Sequence, residues 1–230
     1  MKKSRKTWLL ATVFSVCQAL FSATNVYAED GYAYLSTRFL TGSVPIKSWK
    51  TLRDERVVKQ NLDTSCGAAA LATLLNEHYG KSVTEQEVLV ALGIKNLRSS
   101  FQNMRDGLES LGFRSAAFSI NYEQLAKLEL PVIVYLKLRE TGHFSVLRGV
   151  SASTVWLADP SLGNRTYSRE QFSSLWDTEA RERKDAEAQG QVLAILPDAT
   201  GLTAQADFFT KKPRRQTEHA IAQLRVWAGR

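Results

Sequence analysis

Cysteine is almost absent from this chain. Cys17 and Cys66 are the only two in 230 residues, and histidine occurs three times, as His78, His143 and His219. No CxxC, HxH or HExxH spacing is present, which makes metal ligation the poorer reading, and nothing in the chain implies a cofactor. No repeat of fixed period occurs, and past the first 28 residues no apolar run is long enough to span a membrane. Basic residues do not cluster with aromatics in the body of the chain, so a nucleic-acid face is not expected.

What is present begins with an export signal. Lys2, Lys3, Arg5 and Lys6 form a positive start, Trp8 to Phe21 are apolar, and Val26-Tyr27-Ala28 offers small residues where a signal peptidase reads. Cleavage between Ala28 and Glu29 is expected; an uncleaved anchor is the alternative, but the apolar run falls short of the roughly 20 residues of a spanning helix. The protein is therefore expected in the periplasm, with no stable membrane span after signal cleavage. Removing residues 1–28 takes four cations and no acids, so 30 Lys+Arg against 23 Asp+Glu (+7) becomes 26 against 23, or +3. It also removes Cys17. Cys66 is then a lone thiol with no internal disulfide partner, and its retention in an oxidising compartment asks for burial, pairing with another chain, or catalysis.

The remaining chain suits one domain of ordinary size. Residues 29–56 mix aromatics, Gly and Pro45 and predict an extended or loop-rich lead-in. Residues 57–197 are expected to form the domain, and 198–230 a basic tail. In that tail Ala220, Ile221, Leu224 and Trp227 make a helical stripe that either docks on the body or touches acidic lipid or a partner. Within the domain, Cys66 to Tyr79 predicts a helix with Thr64 or Ser65 as cap and Gly80 as stop. Thr84 and Glu87 form a capping box that opens a second helix ending at Gly93. A third runs from Phe101 to Leu111, and Tyr122 to Leu128 forms a short helical connection. The texture then turns to strand: Pro131–Leu138, a turn at 139–142, His143–Val150, Val155–Asp159 and Val192–Leu196, with a helix from Ser168 to Trp176 and a solvated charged stretch over 180–190. Helices first and an antiparallel meander afterwards predict an α+β fold.

A cysteine nucleophile needs a lowered thiol pKa, a base, a group to orient the base, and oxyanion donors. Cys66 opens a helix, where free N–H groups and partial positive charge favour thiolate. Gly67 leaves room there for substrate and backbone. His78 is about 18 Å away along the same helix at ~1.5 Å per residue, and His219 lies in the tail. His143 opens a strand after a Gly-containing turn and is the histidine placed to act as base. Asp159 ends the next strand and falls beside it in an antiparallel pair. Gln60, ahead of the cysteine, supplies a side-chain amide for an oxyanion. Each residue taken singly has a plainer reading: a small core thiol, a satisfied histidine, a strand end, a surface amide. The combination carries the argument.

The stretches VVKQNLDTSCGAAALATLLNEHYGKSVTEQEVL (57–89) and GHFSVLRGVSASTVWLADPSLGNRTYSREQFSSLW (142–176) resemble the C39 cysteine peptidases, papain-like proteases best known as domains of bacteriocin exporters. The resemblance implies a papain-like α+β fold with Cys66 as nucleophile, His143 as general base, Asp159 as its orienting acid and Gln60 as the oxyanion amide. Ser65 stands where transporter-linked members often carry an acid, and no transmembrane or P-loop segment accompanies the domain. The chain looks most like stand-alone exported members from functional-amyloid secretion operons of pseudomonads. That likeness implies a protein or peptide substrate, an amyloid subunit or its outer-membrane export pore. The alternative is a catalytically idle domain that binds an extended peptide as a chaperone or docking factor.

Overall fold

The computed structural model describes residues 30–93, 99–138, 141–176, 190–198 and 204–213. The expected signal (1–28), all but residue 190 of the charged stretch (180–190) and the apolar tail stripe (220–227) lie outside these. No helix among the described residues is long and apolar enough to cross a membrane. The chain divides into two compact units, residues 1–50 and 51–230.

In the first unit, β1 (Gly31–Ser36) and β2 (Thr41–Ile46) form an antiparallel hairpin, from Gly31 opposite Ile46 to Ser36 opposite Thr41. Its turn is closed by Thr37, whose Oγ1 accepts from Leu40 N–H (3.0 Å). The lead-in is thus extended, as expected, but it is paired. Helix α1 (Trp49–Asp54) follows across the division; it buries no side chain, so it offers no apolar stripe for sequence reading to find.

The second unit is built on a six-stranded antiparallel sheet: β3 (Phe113–Ile120), β4 (Val132–Leu138), β5 (Thr141–Val150), β6 (Thr154–Asp159), β7 (Gly163–Ser168) and β8 (Gly190–Pro197), in the order β3-β8-β4-β5-β6-β7. The expected meander holds from β4 to β7, and β8 departs from it by inserting between β3 and β4. Alternation along the strands sends side chains to two cores. Ile133, Val146, Ala158 and Leu193 join one cluster with helices α2 (Cys66–Tyr79), α3 (Glu85–Ala91) and α4 (Phe101–Ser110). Their neighbours Val132, Val134, Leu147, Leu157 and Val192 join the other, with the short α5 (Tyr122–Leu125) and with Phe172 and Trp176 of α6 (Arg169–Trp176).

Helix α2 is the centre of the first cluster. Ala68, Ala69, Ala70, Leu71, Leu74 and Leu75 are all fully buried, so it is enclosed on nearly every side. Each buried leucine contributes ~1.5–3 kcal/mol relative to exposure. The helix stops as expected: Gly80 is left-handed (φ +65°), its N–H bonds Asn76 O (3.0 Å), and Lys81 N–H bonds Leu75 O (3.1 Å). Its start differs. Ser65 is the N-cap residue but makes no side-chain cap; its hydroxyl donates to Leu62 O (2.8 Å) instead. The Thr84–Glu87 capping box is present, and Ser168 caps α6 by accepting from Gln171 N–H (3.2 Å).

Candidate active site

Two neighbouring elements of the sheet and one helix end make the site. Cys66 is the first residue of α2, His143 lies near the start of β5, and Asp159 is the last residue of β6. Strands β5 and β6 pair with Val146 opposite Ala158, so the next position along brings Ser145 opposite Asp159. His143 lies two residues further along the same side of β5, within diagonal reach of that carboxylate.

The contacts follow from this register. His143 Nε2 lies 2.8 Å from Asp159 Oδ2, and Ser145 Oγ donates to the same oxygen at 2.5 Å. The other oxygen, Oδ1, accepts from Ser161 N–H (2.9 Å) and Leu162 N–H (2.8 Å) in the turn that follows Pro160. Asp159 is 1% exposed, and these donors hold it ionised against the cost of burial, with its pKa below the usual carboxylate range. With Nε2 committed to Asp159, Nδ1 is the ring nitrogen left for Cys66, and the two side chains lie close enough for each to shift the other's pKa.

Burial opposes charge on both members of that pair, and in both the partner wins. The Cys66 thiol would rise in a dry site, but His143 and the backbone N–H groups of Phe144 and Gly67 bring it below its ordinary value. Burial would lower the imidazole, yet Asp159 and Cys66 raise it to about 9. These neighbours shift the pair toward thiolate and imidazolium.

The remaining expected residues are placed less simply. Gln60 is tied to the turn after Asp159: its N–H bonds Pro160 O (3.2 Å), and its Oε1 accepts from Ser161 Oγ (2.7 Å). Its Nε2 donates to Leu62 O (2.9 Å), which uses one of the two amide protons and leaves the other for a ligand. Gly67 admits the protein's own side chains rather than substrate. A Cβ there would stand 2.4 Å from Ser99 Cβ and 2.5 Å from Met104 Cε. His78 is buried at the far end of α2, with Nδ1 3.3 Å from Gln205 O, and His219 lies outside the described residues. Ser145 and Ser161 escaped sequence reading. The signal for Ser145 was its place two residues after His143 on a strand, and for Ser161 its place in the turn after an Asp-Pro pair.

The Peptidase C39 family model matches residues 54–187, more than half of the chain. The chain belongs to the peptidase C39 family. Its C39 relatives include the probable functional amyloid protease FapD of Pseudomonas aeruginosa and that of Pseudomonas fluorescens, each 33% identical over 146 residues, 59% of this chain and 65% of the relative. The chain thus spans 65% of the length of these two relatives. The lactococcin-G-processing and transport ATP-binding protein LagD of Lactococcus lactis is 28% identical over 53% of this chain, but that match covers only 18% of LagD. Among solved structures, a double glycine motif protease from an AMS/PCAT transporter, in complex with its leader peptide, matches with a TM-score of 0.51 and 25% identity, covering 61% of this chain and 90% of that one. The peptidase domain of Streptococcus ComA matches with a TM-score of 0.52 and 20% identity over 61% and 97%, a likeness of fold. The α+β papain-like architecture expected from sequence is the architecture of these C39 domains.

Proposed function

We propose that the protein is an exported cysteine endopeptidase acting in the periplasm. The observation that carries the reading is the buried His143–Asp159 pair, with Nε2 2.8 Å from Oδ2, beside Cys66 at the first residue of α2, whose thiol His143 helps to hold below its ordinary pKa. In the proposed reaction the Cys66 thiolate attacks a peptide carbonyl, and the Cys66 N–H with the spare N–H of Gln60 holds the oxyanion. The His143 imidazolium protonates the leaving amine through Nδ1. The neutral imidazole then draws a proton from water, which attacks the thioester carbonyl; the C–S bond breaks, and Cys66 leaves as the thiolate beside the re-formed imidazolium. Asp159 keeps the ring oriented and stabilises its charged form.

The relatives' names support a substrate tied to functional amyloid, and the proposed substrate is an amyloid subunit or its outer-membrane export pore, cut by this chain after its signal is removed. Cells expressing the full sequence are expected to hold the protein in the periplasmic fraction, beginning at Glu29. Purified from there, it should cleave that substrate under reducing conditions, and Cys66→Ala should fold but leave the substrate whole. Cleavage by Cys66→Ala would end the proposal.

A further inference from the structure

We infer that Ser145 is a positioning residue of this site, holding the Asp159 carboxylate in the orientation that His143 requires. The inference rests on the catalytic reading above. Extending the Val146–Ala158 register by one residue sets Ser145 opposite Asp159 and leaves His143 on the diagonal. Nothing in the register turns the carboxylate toward the diagonal neighbour. Three donors do so: the turn N–H groups of Ser161 and Leu162 fix Oδ1, and the Ser145 hydroxyl fixes Oδ2, the oxygen that meets the imidazole. The two groups hold opposite ends of one carboxylate, so its plane and tilt are both set.

Ser145 is fully buried in a strand where Phe144, Val146, Leu147 and Val150 are buried and apolar. A hydroxyl in such a place is costly unless bonded, and a valine or alanine would serve packing equally well. Its bond goes to a charged acceptor, the stronger kind. It also favours the ionised carboxylate, the form that holds an imidazolium beside Cys66.

Without the hydroxyl the carboxylate loses one restraint on its tilt, and its grip on the imidazolium weakens. The thiolate then loses part of its counter-charge, so the acid limb of Cys66 reactivity moves to higher pH. The test is the pH dependence of Cys66 alkylation by iodoacetamide in the wild type, Ser145→Ala, Ser145→Thr, Ser145→Val and His143→Ala, with thermal melting alongside. Threonine and valine have the same shape and differ only in the hydroxyl. The acid limb is expected about one unit higher in Ser145→Ala than in the wild type, with about tenfold less thiolate below the limb. Ser145→Val is expected to sit above Ser145→Thr by a similar margin. If the matched pairs superimpose while His143→Ala shifts the limb, Ser145 is core packing and this inference alone is overturned. If His143→Ala is also indifferent, the Cys66–His143 reading falls and the inference falls with it. Should Ser145→Ala not fold, the threonine–valine pair decides.

Discussion

At the scale of single residues, the orientation of one amide and the charge of one ring decide how the proposed chemistry runs. Ser161 Oγ donates to Gln60 Oε1, so the carbonyl end of the amide is held against the turn and the NH2 end must point the other way. Gln60→Ala is therefore expected to lower kcat by roughly 10²–10³ with little change in KM, the signature of a donor that acts on the transition state. Steady-state kinetics on a peptide substrate checks this; a rise in KM at constant kcat would make Gln60 a substrate contact instead. The ring sets the pH range. His143 must carry a proton to the leaving amine, and its neighbours raise its pKa from 6.5 to about 9. The proton is fully present below 6.5 and lost as pH rises through about 9, so kcat/KM should fall on the alkaline side there. On the acid side it should fall as the Cys66 thiolate is protonated, below the ordinary thiol range, because Cys66 is lowered. A profile that rises up to pH 9 and beyond would mean that the imidazolium is not the acid.

At the scale of elements, α2 carries Cys66, the proposed nucleophile, and its first turn has no slack. Alanine at Gly67 would press a Cβ to 2.4 Å from Ser99 Cβ and 2.5 Å from Met104 Cε. Overpacking of this kind costs ~1–3 kcal/mol, and relief by moving the helix end would carry Cys66 away from His143. Gly67→Ala is expected to melt roughly 2–10 °C lower and to alkylate more slowly at neutral pH; wild-type values for both would show that Ser99 and Met104 yield freely. The elements that sequence reading found are those whose ends are written locally: Gly80, Gly93 and Gly112 all take positive φ just past a helix, and Thr84 with Glu87 closes a capping box. Strands β3 and β7 went unread for the opposite reason. FRSAAFSI is exposed or half-buried after Phe113, and GNRTYS is polar, so neither shows the apolar alternation that marks a strand. Ser65 shows a limit of the capping rule: a residue of the right type stood at the right place and bonded Leu62.

At the scale of the whole molecule, the His143–Asp159 half of the site was legible because it depends on one short-range pairing. β5 and β6 are joined by a few residues, so the closeness of His143 and Asp159 follows from a hairpin. The insertion of β8 between β3 and β4 joins strands far apart in sequence, and no local pattern encodes that. The same holds for the chain beyond it. Residues 204–213, which read as part of a basic tail, pack on the domain. Gln205 N–H bonds His78 O (2.7 Å), Thr210 bonds Arg148 O and Val150 N–H on β5, and Phe208 is fully buried. Two guanidinium groups lie over the Phe208 ring, with Arg148 Cζ 4.7 Å and Arg56 Cζ 5.1 Å from its centroid. Arg148 is itself the extra residue of a bulge in β5, buried over Trp156 at 4.0 Å and bonded to Asn164. Burial lowers its pKa to about 10, so it stays charged at neutral pH and relies on the rings that flank it. This strap anchors at His78, about 18 Å along α2 from Cys66. Stability and reactivity should therefore separate. Phe208→Ala removes a core ring and one face of the Arg148 stack, and is expected to cost ~3–5 kcal/mol in chemical denaturation. At temperatures where the variant is folded, its Cys66 alkylation profile should match the wild type. An unchanged denaturation midpoint would mean the strap rests on the domain without stabilising it, and a slowed alkylation would mean that the far end of α2 governs the near one.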